Sequence, residues 1–316
     1  MVPPPFPHFE VRLTAPDLDP WLAGNTGLPG FVTRDSGLPG PHLAITALTH
    51  GNEIAGAIAL DRLLRDDFRP ARGRVTFGFI DLAAFARFDP RQPTASRFVD
   101  EDMNRLWAED VLDSARRSYE LDRAREIRPF IETVDVLLDL HSMLWPSDPL
   151  LLSGSSEKGR RLAFGISVPG LIVADYGHAS GRRLIDYHRF VDPDTTAAAV
   201  LVEAGQHWEV ETVDTTLACI RSALRHVGLD GPQTAARSGP APARFAEVTT
   251  VVTAATGAFA FTEPFRGGDL ISEAGTLIAV DGATEIRTPH PDCLLVMPSL
   301  RPSRGHTAVR LARFAP

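Results

Sequence analysis

The chain has few of the features that mark secreted or membrane-spanning proteins. Cysteine occurs only twice in 316 residues, as Cys219 and Cys293, and neither cysteine lies in a metal-ligand spacing. This argues against a disulfide framework and favours a reducing compartment. The proline-rich segment 1–10 lacks the basic and then apolar pattern of a signal peptide. No apolar run approaches the roughly 20 residues of a membrane span. We therefore expect a cytoplasmic protein with no membrane partner.

Clustered positive charge is also missing. The formal net charge is -8, and no long run of lysine or arginine occurs. Nucleic-acid binding needs a concentrated basic face, so we expect no nucleic-acid partner. A small anionic substrate remains compatible with this composition, because a pair of arginines can dominate the potential of one pocket. The sequence leaves open whether the chain forms a homo-oligomer.

Short apolar runs alternate with helical patterns over the first two thirds of the chain. The strand-like runs are 42–49, 75–82, 134–140, 150–153, 171–174 and 198–202. Helical spacing covers 53–65, 110–133 and 213–227, the second of which resembles one long surface helix. The first forty residues contain many Gly and Pro residues and are predicted to be irregular. The pattern predicts an α/β fold, in which helices flank a mixed sheet on both faces.

The composition changes near residues 231–243, where Gly, Pro, Ala and Ser predict a linker. Beyond it, short β-prone runs at 247–253, 257–261, 277–280 and 293–296 alternate with turn residues. We therefore predict two domains. Residues 1–235 are predicted to form the larger α/β domain, and residues 241–316 a small all-β domain of the barrel-sandwich type.

Metal-ligating residue types stand at the ends of two predicted strands. His50 and Glu53 are three residues apart at a strand-to-helix junction, and His141 ends a second apolar run. Carboxyl ends of strands in an open α/β sheet meet at the edge where ligands bind. Two imidazoles and one carboxylate are the protein ligands of a His2Glu catalytic zinc site. Asp139, two residues before His141, is a candidate hydrogen-bond partner of a ligand histidine.

Four short motifs occur in order along the chain: THGNE at 49–53, DMNR at 102–105, DLH at 139–141 and VEAG at 202–205. Together they resemble the signatures of the succinylglutamate desuccinylase/aspartoacylase family, a branch of the zinc carboxypeptidase-like hydrolases. The resemblance spans roughly residues 42–210, and the β-rich C-terminal region also matches.

The resemblance implies one zinc ion per chain, held by His50, Glu53 and His141. It implies that Glu203 is the catalytic carboxylate, which assists the attack of a zinc-bound water. It also implies substrate contacts from three residues of one segment. Of these, Arg97 is suited to stabilising the oxyanion, whereas Asn104 and Arg105 are suited to clamping a substrate carboxylate. In the alternative interpretation Arg105 forms a surface ion pair with Asp100 or Asp102.

Other residues near variable family positions are interpreted as loop or core residues; they are Tyr176, His178, His207 and Trp208. Tyr187 and Arg189 are the nearest counterparts of a family arginine or tyrosine that precedes the catalytic glutamate.

These features predict a zinc-dependent amidohydrolase that removes the acyl group from an N-acyl amino acid or a related small amide. The substrate would be a small molecule that carries a carboxylate. A metallocarboxypeptidase acting on short peptides is the enzymatic alternative, because the same clamp fits a peptide C-terminus. A binding protein that has kept the fold and lost the chemistry is the non-enzymatic alternative.

Overall fold

A computed structural model describes residues 9–177, 180–230 and 242–315. Its main feature is a mixed sheet of eleven strands in the order β1-β3-β2-β4-β7-β5-β6-β8-β14-β13-β10. Three further strands form a separate sheet in the order β12-β11-β9. The strands are β1 Phe31–Asp35, β2 His42–Ala47, β3 Arg74–Phe79, β4 Val136–Met143, β5 Leu150–Leu152, β6 Leu171–Ala174, β7 Ala198–Gln206, β8 Arg244–Thr253, β9 Phe259–Phe261, β10 Leu270–Ile271, β11 Leu277–Asp281, β12 Thr284–Arg287, β13 Cys293–Val296 and β14 Thr307–Phe314.

The described residues also form seven α-helices, which cover both faces of the large sheet. They are α1 Ile54–Arg65, α2 Leu82–Phe85, α3 Glu109–Leu112, α4 Tyr119–Ile131, α5 Glu157–Ile166, α6 His188–Val191 and α7 Val210–His226. Helices α1, α5 and α7 bury their apolar residues in one core cluster, whereas α4 and α6 bury theirs in another. The predicted fold class, a mixed sheet flanked by helices with a small all-β part near the C-terminus, is confirmed.

The strands that matter for function are parallel neighbours in the middle of the sheet. Strand β2 pairs in parallel with β4, and β4 pairs in parallel with β7. Both faces of these strands are covered, which explains why the sequence shows continuous apolar runs instead of alternation. The register sets Thr46 opposite Asp139, and His141 opposite Glu203. The carboxyl ends of the three strands therefore meet at one edge.

The single long helix predicted over 110–133 is wrong. The chain forms α3 and α4 instead, and residues 113–118 between them are not helical. Helix α4 begins where the Ser118 hydroxyl accepts the Leu121 N–H at 3.0 Å, and the Asp100 carboxylate accepts the Tyr119 N–H at 2.8 Å. These caps offset the loss of helical hydrogen bonds at the break. The helix is not merely a surface element either, because Glu120 and Arg123 are buried. Strand β1 and helix α5 were not predicted.

The C-terminal strands join the large sheet through β8, which pairs in parallel with β6. Strands β14, β13 and β10 continue the sheet from β8, while β9, β11 and β12 pack around a third apolar cluster. The predicted division into 1–235 and 241–316 stays a prediction. Residues 231–241 of the predicted linker lie outside the described residues. Within the described residues, no helix is both long enough and apolar enough to cross a membrane.

The buried carboxyl group of Asp81 lies beside the carboxyl end of β3. Its burial predicts that the stability of the protein depends on pH. Its Oδ1 accepts the Ala84 N–H at 2.9 Å as the cap of α2, while Oδ2 is buried with no hydrogen-bond partner in the described part of the chain. Burial raises the pKa of Asp81 to about 6. Because the folded pKa lies above the unfolded pKa, ionisation destabilises the fold as pH rises from about 4 through about 6.

Asp81→Asn keeps a capping oxygen and removes this ionisation. We expect the stability of the variant relative to wild type to rise by about 2–3 kcal/mol between pH 4 and pH 7. Urea unfolding of both proteins at a series of pH values measures this change. A difference that is the same at every pH would contradict the assignment.

Candidate metal centre and catalytic cavity

Two imidazoles converge on one carboxylate at the carboxyl edge of the sheet. His50 follows β2, Glu53 is the N-cap residue of α1, and His141 lies in β4. His50 Nδ1 is 2.7 Å from Glu53 Oε1, and His141 Nδ1 is 3.1 Å from Glu53 Oε2. One ligand atom from each residue lies within 4.8 Å of the others, and all three residues are buried. The three residues could therefore hold a metal ion.

The outer nitrogen of each histidine faces an aspartate. His50 Nε2 is 2.9 Å from Asp102 Oδ1, and His141 Nε2 is 2.9 Å from Asp139 Oδ2. Asp139 also accepts hydrogen bonds from the hydroxyls of Thr46 and Thr49. Carboxylates in this position fix the tautomer of a ligand histidine, because they hold the proton on the nitrogen that faces away from the metal.

The atoms of His50, Glu53 and His141 that face one another are better suited to binding a cation than to hydrogen bonding among themselves. His50 Nδ1 is buried, yet its short contact with Glu53 is not aligned as a hydrogen bond. Burial opposes the ionisation of Glu53, but His50 and His141 outweigh it and hold the pKa of Glu53 well below its usual range. A bound cation would act in the same direction. The donor set of two imidazoles and one carboxylate is that of a zinc site with an open position.

Glu203 lies on β7 directly opposite His141. Its side chain is buried, and Oε2 has no hydrogen-bond partner among the described residues. Burial and the nearby charge of Glu53 raise the pKa of Glu203 to about 8. A carboxyl group with a pKa near neutrality can both accept and release a proton at physiological pH. The structure thus places a carboxyl group suited to proton transfer beside the three residues that could hold a metal ion.

Arg97 lies against the metal-ligating residues. Its Nη1 is 3.1 Å from Glu53 Oε1, and its Nη2 is 3.2 Å from Asp102 Oδ2. Nη2 is also 2.9 Å from His50 Nε2. Because a guanidinium nitrogen only donates, that contact and the contact from His50 Nε2 to Asp102 cannot both be hydrogen bonds. We assign the Nε2 proton to the contact with Asp102, as a ligand histidine requires.

Asn104 and Arg105 lie in a 3₁₀ turn, Met103–Arg105, whose first N–H groups are capped by Asp102. The Asn104 side-chain oxygen accepts the Leu184 N–H at 2.9 Å, so this amide also anchors the loop. Arg105 Nη1 donates to the Asn104 carbonyl at 2.7 Å, and Nη2 is 3.7 Å from Asp102. Arg105 therefore forms the predicted ion pair with Asp102 and also lines the cavity.

The segment that carries Arg97 and Asn104 is held by a contact that the sequence did not reveal. The buried carboxylate of Glu120 on α4 accepts the backbone N–H groups of Val99, Asp100 and Glu101. The residue pattern of α4 does not indicate this role of Glu120, because its hydrogen-bond partners lie about twenty residues earlier in the chain.

One cavity of about 720 Å³ is lined by His50, Glu53, His141, Glu203, Arg97, Asn104 and Arg105. Its walls come from the ends of β2, β4 and β7, from the segment 97–105, and from the C-terminal segment 297–310. The C-terminal wall contributes Arg301, His306 and Arg310, and residues 297–310 include no aspartate or glutamate. This basic wall was not predicted. The run of basic residues without acidic ones is the signal that could have indicated it.

Arg310 and Arg183 form a buried charge cluster next to the cavity. Arg183 donates two hydrogen bonds to Asp175 at 3.0 and 2.7 Å, and a further one to Asp186 at 2.7 Å. Arg310 Nε is 3.3 Å from Asp175. The cluster joins the C-terminal strand β14 to the catalytic region and holds both arginines at the cavity wall.

The two counterparts proposed for a family residue before Glu203 are not at the cavity. The Tyr187 hydroxyl contacts Glu132 and Arg128, and Arg189 Nε donates to the Val134 carbonyl. Both contacts lie at the opposite end of the β4–β7 pair. His178 lies outside the described residues.

The model of the succinylglutamate desuccinylase/aspartoacylase catalytic domain matches residues 39–226. The chain belongs to this family. The match covers more than half of the chain and includes all four motifs, so the family resemblance seen in the sequence is confirmed. No curated protein sequence matches the chain significantly.

Solved structures of the same family share the fold. A succinylglutamate desuccinylase from Vibrio cholerae superimposes with a TM-score of 0.69 at 17% identity, covering 91% of this chain and 86% of that one. A succinylglutamate desuccinylase/aspartoacylase from Rhodobacter sphaeroides gives 0.64 at 19% identity, with 90% and 88% covered. The product-bound ectoine utilization protein EutE (DoeB) from Ruegeria pomeroyi gives 0.63 at 15% identity, with 89% and 88% covered. At these identities the likeness shows the fold alone.

The arrangement of the candidate metal centre predicts which variants of the protein retain zinc. After loading with zinc and dialysis, we expect wild type to retain about one equivalent and His141→Ala to lose it, because three protein ligands are needed to hold the ion. Asp139→Asn should bind zinc about 10–100-fold more weakly, since it removes the carboxylate behind His141. Elemental analysis and competition with a chelator measure both effects.

His188→Ala is the matched control. His188 is partly exposed beside Glu109 and lies away from the metal-ligating residues. Zinc retained by His141→Ala, or lost equally from His188→Ala, would contradict the assignment of the centre.

Proposed function

We propose that this chain is a zinc-dependent amidohydrolase that removes the acyl group from an N-acyl amino acid. The observation that carries the proposal is the convergence of His50, Glu53 and His141 beside Glu203, on the wall of one cavity. One zinc ion per chain would be held by the two histidines and Glu53. When bound, zinc supplies Lewis acidity at the scissile carbonyl and makes water more acidic.

Glu203 moves the proton in this mechanism. Its carboxylate accepts a proton from the attacking water, and the new C–O bond forms at the acyl carbon. The same carboxyl group then delivers the proton to the departing nitrogen as the C–N bond breaks, so that a carboxylate and a free amino acid are released. The absence of any hydrogen-bond partner for Oε2 among the described residues leaves that oxygen available to water or to the leaving nitrogen.

Arg97 and Arg105 contribute positive charge near the reacting carbonyl in this proposal. Arg97 contacts Glu53 and Asp102, and Arg105 contacts Asp102. Arg97 approaches both carboxylates and lines the cavity, which supports its assignment as the cation that stabilises the developing oxyanion. Arg105 is the neighbouring cation that we assign to a substrate carboxylate. Burial and the nearby arginines lower the pKa of Arg105 to about 10, so it stays charged at neutral pH.

The cavity favours a small substrate with anionic groups. The segment 297–310 closes one side and contributes basic side chains, whereas the acidic residues stand on the metal side. Such polarity orients a bound molecule with its carboxylate away from Glu53. A small-molecule partner of this kind and a cytoplasmic location are part of the proposal.

Hydrolysis assays of N-acyl amino acids and of dipeptides test the reaction itself. We expect the zinc-loaded enzyme to prefer N-acyl amino acids, because the segment 297–310 forms one wall of the cavity and limits the space for a longer peptide. Glu203→Gln should keep its zinc and lose about 10²–10⁴-fold in kcat, since the proton-transferring group is gone. A preference for dipeptides would indicate a carboxypeptidase instead, and no hydrolysis of either class would indicate a binding protein. Near-wild-type turnover by Glu203→Gln would remove Glu203 from its role.

A second test addresses the basic wall with two arginines of one segment. Arg301 lines the cavity, whereas Arg304 is exposed and does not line it. For a substrate with two carboxylates, we expect Arg301→Gln to lower kcat/KM by about fivefold, the effect of one partly screened charge pair. Arg304→Gln should leave kcat/KM unchanged. Equal effects of the two substitutions would mean that the wall acts only through its overall charge.

A further inference from the structure

His207 is a buried hydrogen-bonding residue on the wall of the cavity. It follows β7 four residues after Glu203, and its backbone N–H donates to the Met143 carbonyl at 2.9 Å. The ring is buried, and Nδ1 is 2.7 Å from the Ser142 hydroxyl. Ser142 in turn donates its backbone N–H to Glu53 Oε2 at 3.0 Å. His207 is thus held at a fixed distance from the metal-ligating carboxylate.

The contact with Ser142 determines which ring nitrogen carries the proton. Within the described residues, the only hydrogen-bond partner of the Ser142 hydroxyl is His207 Nδ1. If Nδ1 donated, the buried hydroxyl proton would have no acceptor, which costs about 1–3 kcal/mol. The Ser142 hydroxyl proton has a hydrogen-bond acceptor only if the hydroxyl donates to His207 Nδ1. The proton of the neutral ring is then on Nε2.

The Nε2–H group then points to the cavity. Nε2 has no hydrogen-bond partner among the described residues, and it is not among their enclosed polar atoms. The residue lines the cavity together with Glu203. Burial lowers the pKa of His207 to about 4; Glu53 opposes this shift and Arg97 adds to it. The ring is therefore neutral at physiological pH, and it offers a directed donor without a charge.

The wall around His207 differs from the other walls of the cavity. Next to Ser142 it consists of Met143, Leu144 and Trp145, which carry no charge. The arginines of the cavity stand on the segment 97–105, at Arg183 and on the C-terminal wall. An apolar surface with one neutral donor suits an acyl chain and an oxygen acceptor, whereas a carboxylate is better bound by arginine.

We propose that His207 Nε2–H donates a hydrogen bond to an oxygen of the acyl half of the substrate, and that Ser142 is the positioning residue that fixes this tautomer. The assignment rests on the proposed function, and it names the wall at which the acyl group is recognised.

Nuclear magnetic resonance of the zinc-loaded protein, with ¹⁵N-labelled histidine, tests the tautomer directly. We expect the His207 ring to carry its proton on Nε2 and to remain neutral from pH 6 to pH 8. Ser142→Ala should produce a mixture of tautomers, and Ser142→Thr should restore the wild-type spectrum because it keeps the hydroxyl. A proton on Nδ1 in wild type would overturn the proposal. His188, which lies beside Glu109 away from Ser142, should give the same ring signals in wild type and in both Ser142 variants at any one pH.

Binding of propionate, a simple acyl product, tests the contact without requiring turnover. Propionate should shift the His207 Nε2–H resonance of the zinc-loaded wild-type protein, whereas propylammonium, which has no acceptor oxygen, should not. No shift at saturating propionate would overturn the acyl contact. If propionate causes the shift but no N-acyl amino acid is hydrolysed, the proposed function fails and the binding assignment stands.

Kinetics provide the third measurement. His207→Phe keeps a ring of similar size and removes the donor, and we expect kcat/KM for N-acyl amino acids to fall by about tenfold or more. Ser142→Ala should give a smaller loss that Ser142→Thr restores. Ser114→Ala, which removes a hydroxyl bonded to the Val111 carbonyl away from the cavity, should leave the rate unchanged. An unchanged rate in His207→Phe would contradict the proposal, and the Ser142 variants retain the test if that variant does not fold.

Discussion

A buried carboxylate held between two imidazoles is the constraint on which the rest of the site depends. Glu53 is almost fully buried, and an isolated carboxylate at such a place would be strongly destabilising. Arg97 donates a hydrogen bond to Glu53 Oε1 at 3.1 Å, and the rings of His50 and His141 contact its two oxygens, which offsets this cost. Their own outer atoms are fixed by Asp102 and Asp139. The centre is therefore a connected polar network, in which each member holds the orientation of the next.

The sheet supplies the positions of this network. Parallel pairing of β2, β4 and β7 brings three strand ends to one edge, and the register sets Glu203 opposite His141. A one-residue slip between β4 and β7 would turn the Glu203 side chain to the other face of the sheet. The continuous apolar packing of both faces thus fixes where the Glu203 carboxyl group lies relative to the candidate metal centre.

The cavity gains its chemical asymmetry from distant parts of the chain. The segment 97–105 is anchored by Glu120 of α4, and the C-terminal wall is tied to the catalytic region by the Asp175 cluster of Arg183 and Arg310. Acidic and metal-ligating groups stand on one side, basic groups stand on another, and the neutral His207 lies on an apolar wall. Each wall would suit a different part of the substrate that we propose, an N-acyl amino acid.

The sequence by itself determined the fold class and the family, and it indicated the three residues of the candidate metal centre that the structure brings together. These could be predicted because apolar runs reveal buried parallel strands, and because His50, Glu53 and His141 follow such runs directly. Asp139 could also be predicted to face His141, since residues two apart in a strand share a side. Helix α1 was predicted over nearly its observed length, because its apolar spacing continues without a break.

Only the tertiary structure decided the break between α3 and α4, the anchoring role of Glu120, the basic C-terminal wall and the place of His207 beside Ser142. Each depends on contacts between residues that are far apart in sequence, where periodicity carries no information. Tyr187 and Arg189 were closer to Glu203 in sequence than Arg310, yet they lie away from the cavity, whereas β14 brings Arg310 to its wall. Sequence distance does not measure spatial distance once strands from the end of the chain join the same sheet.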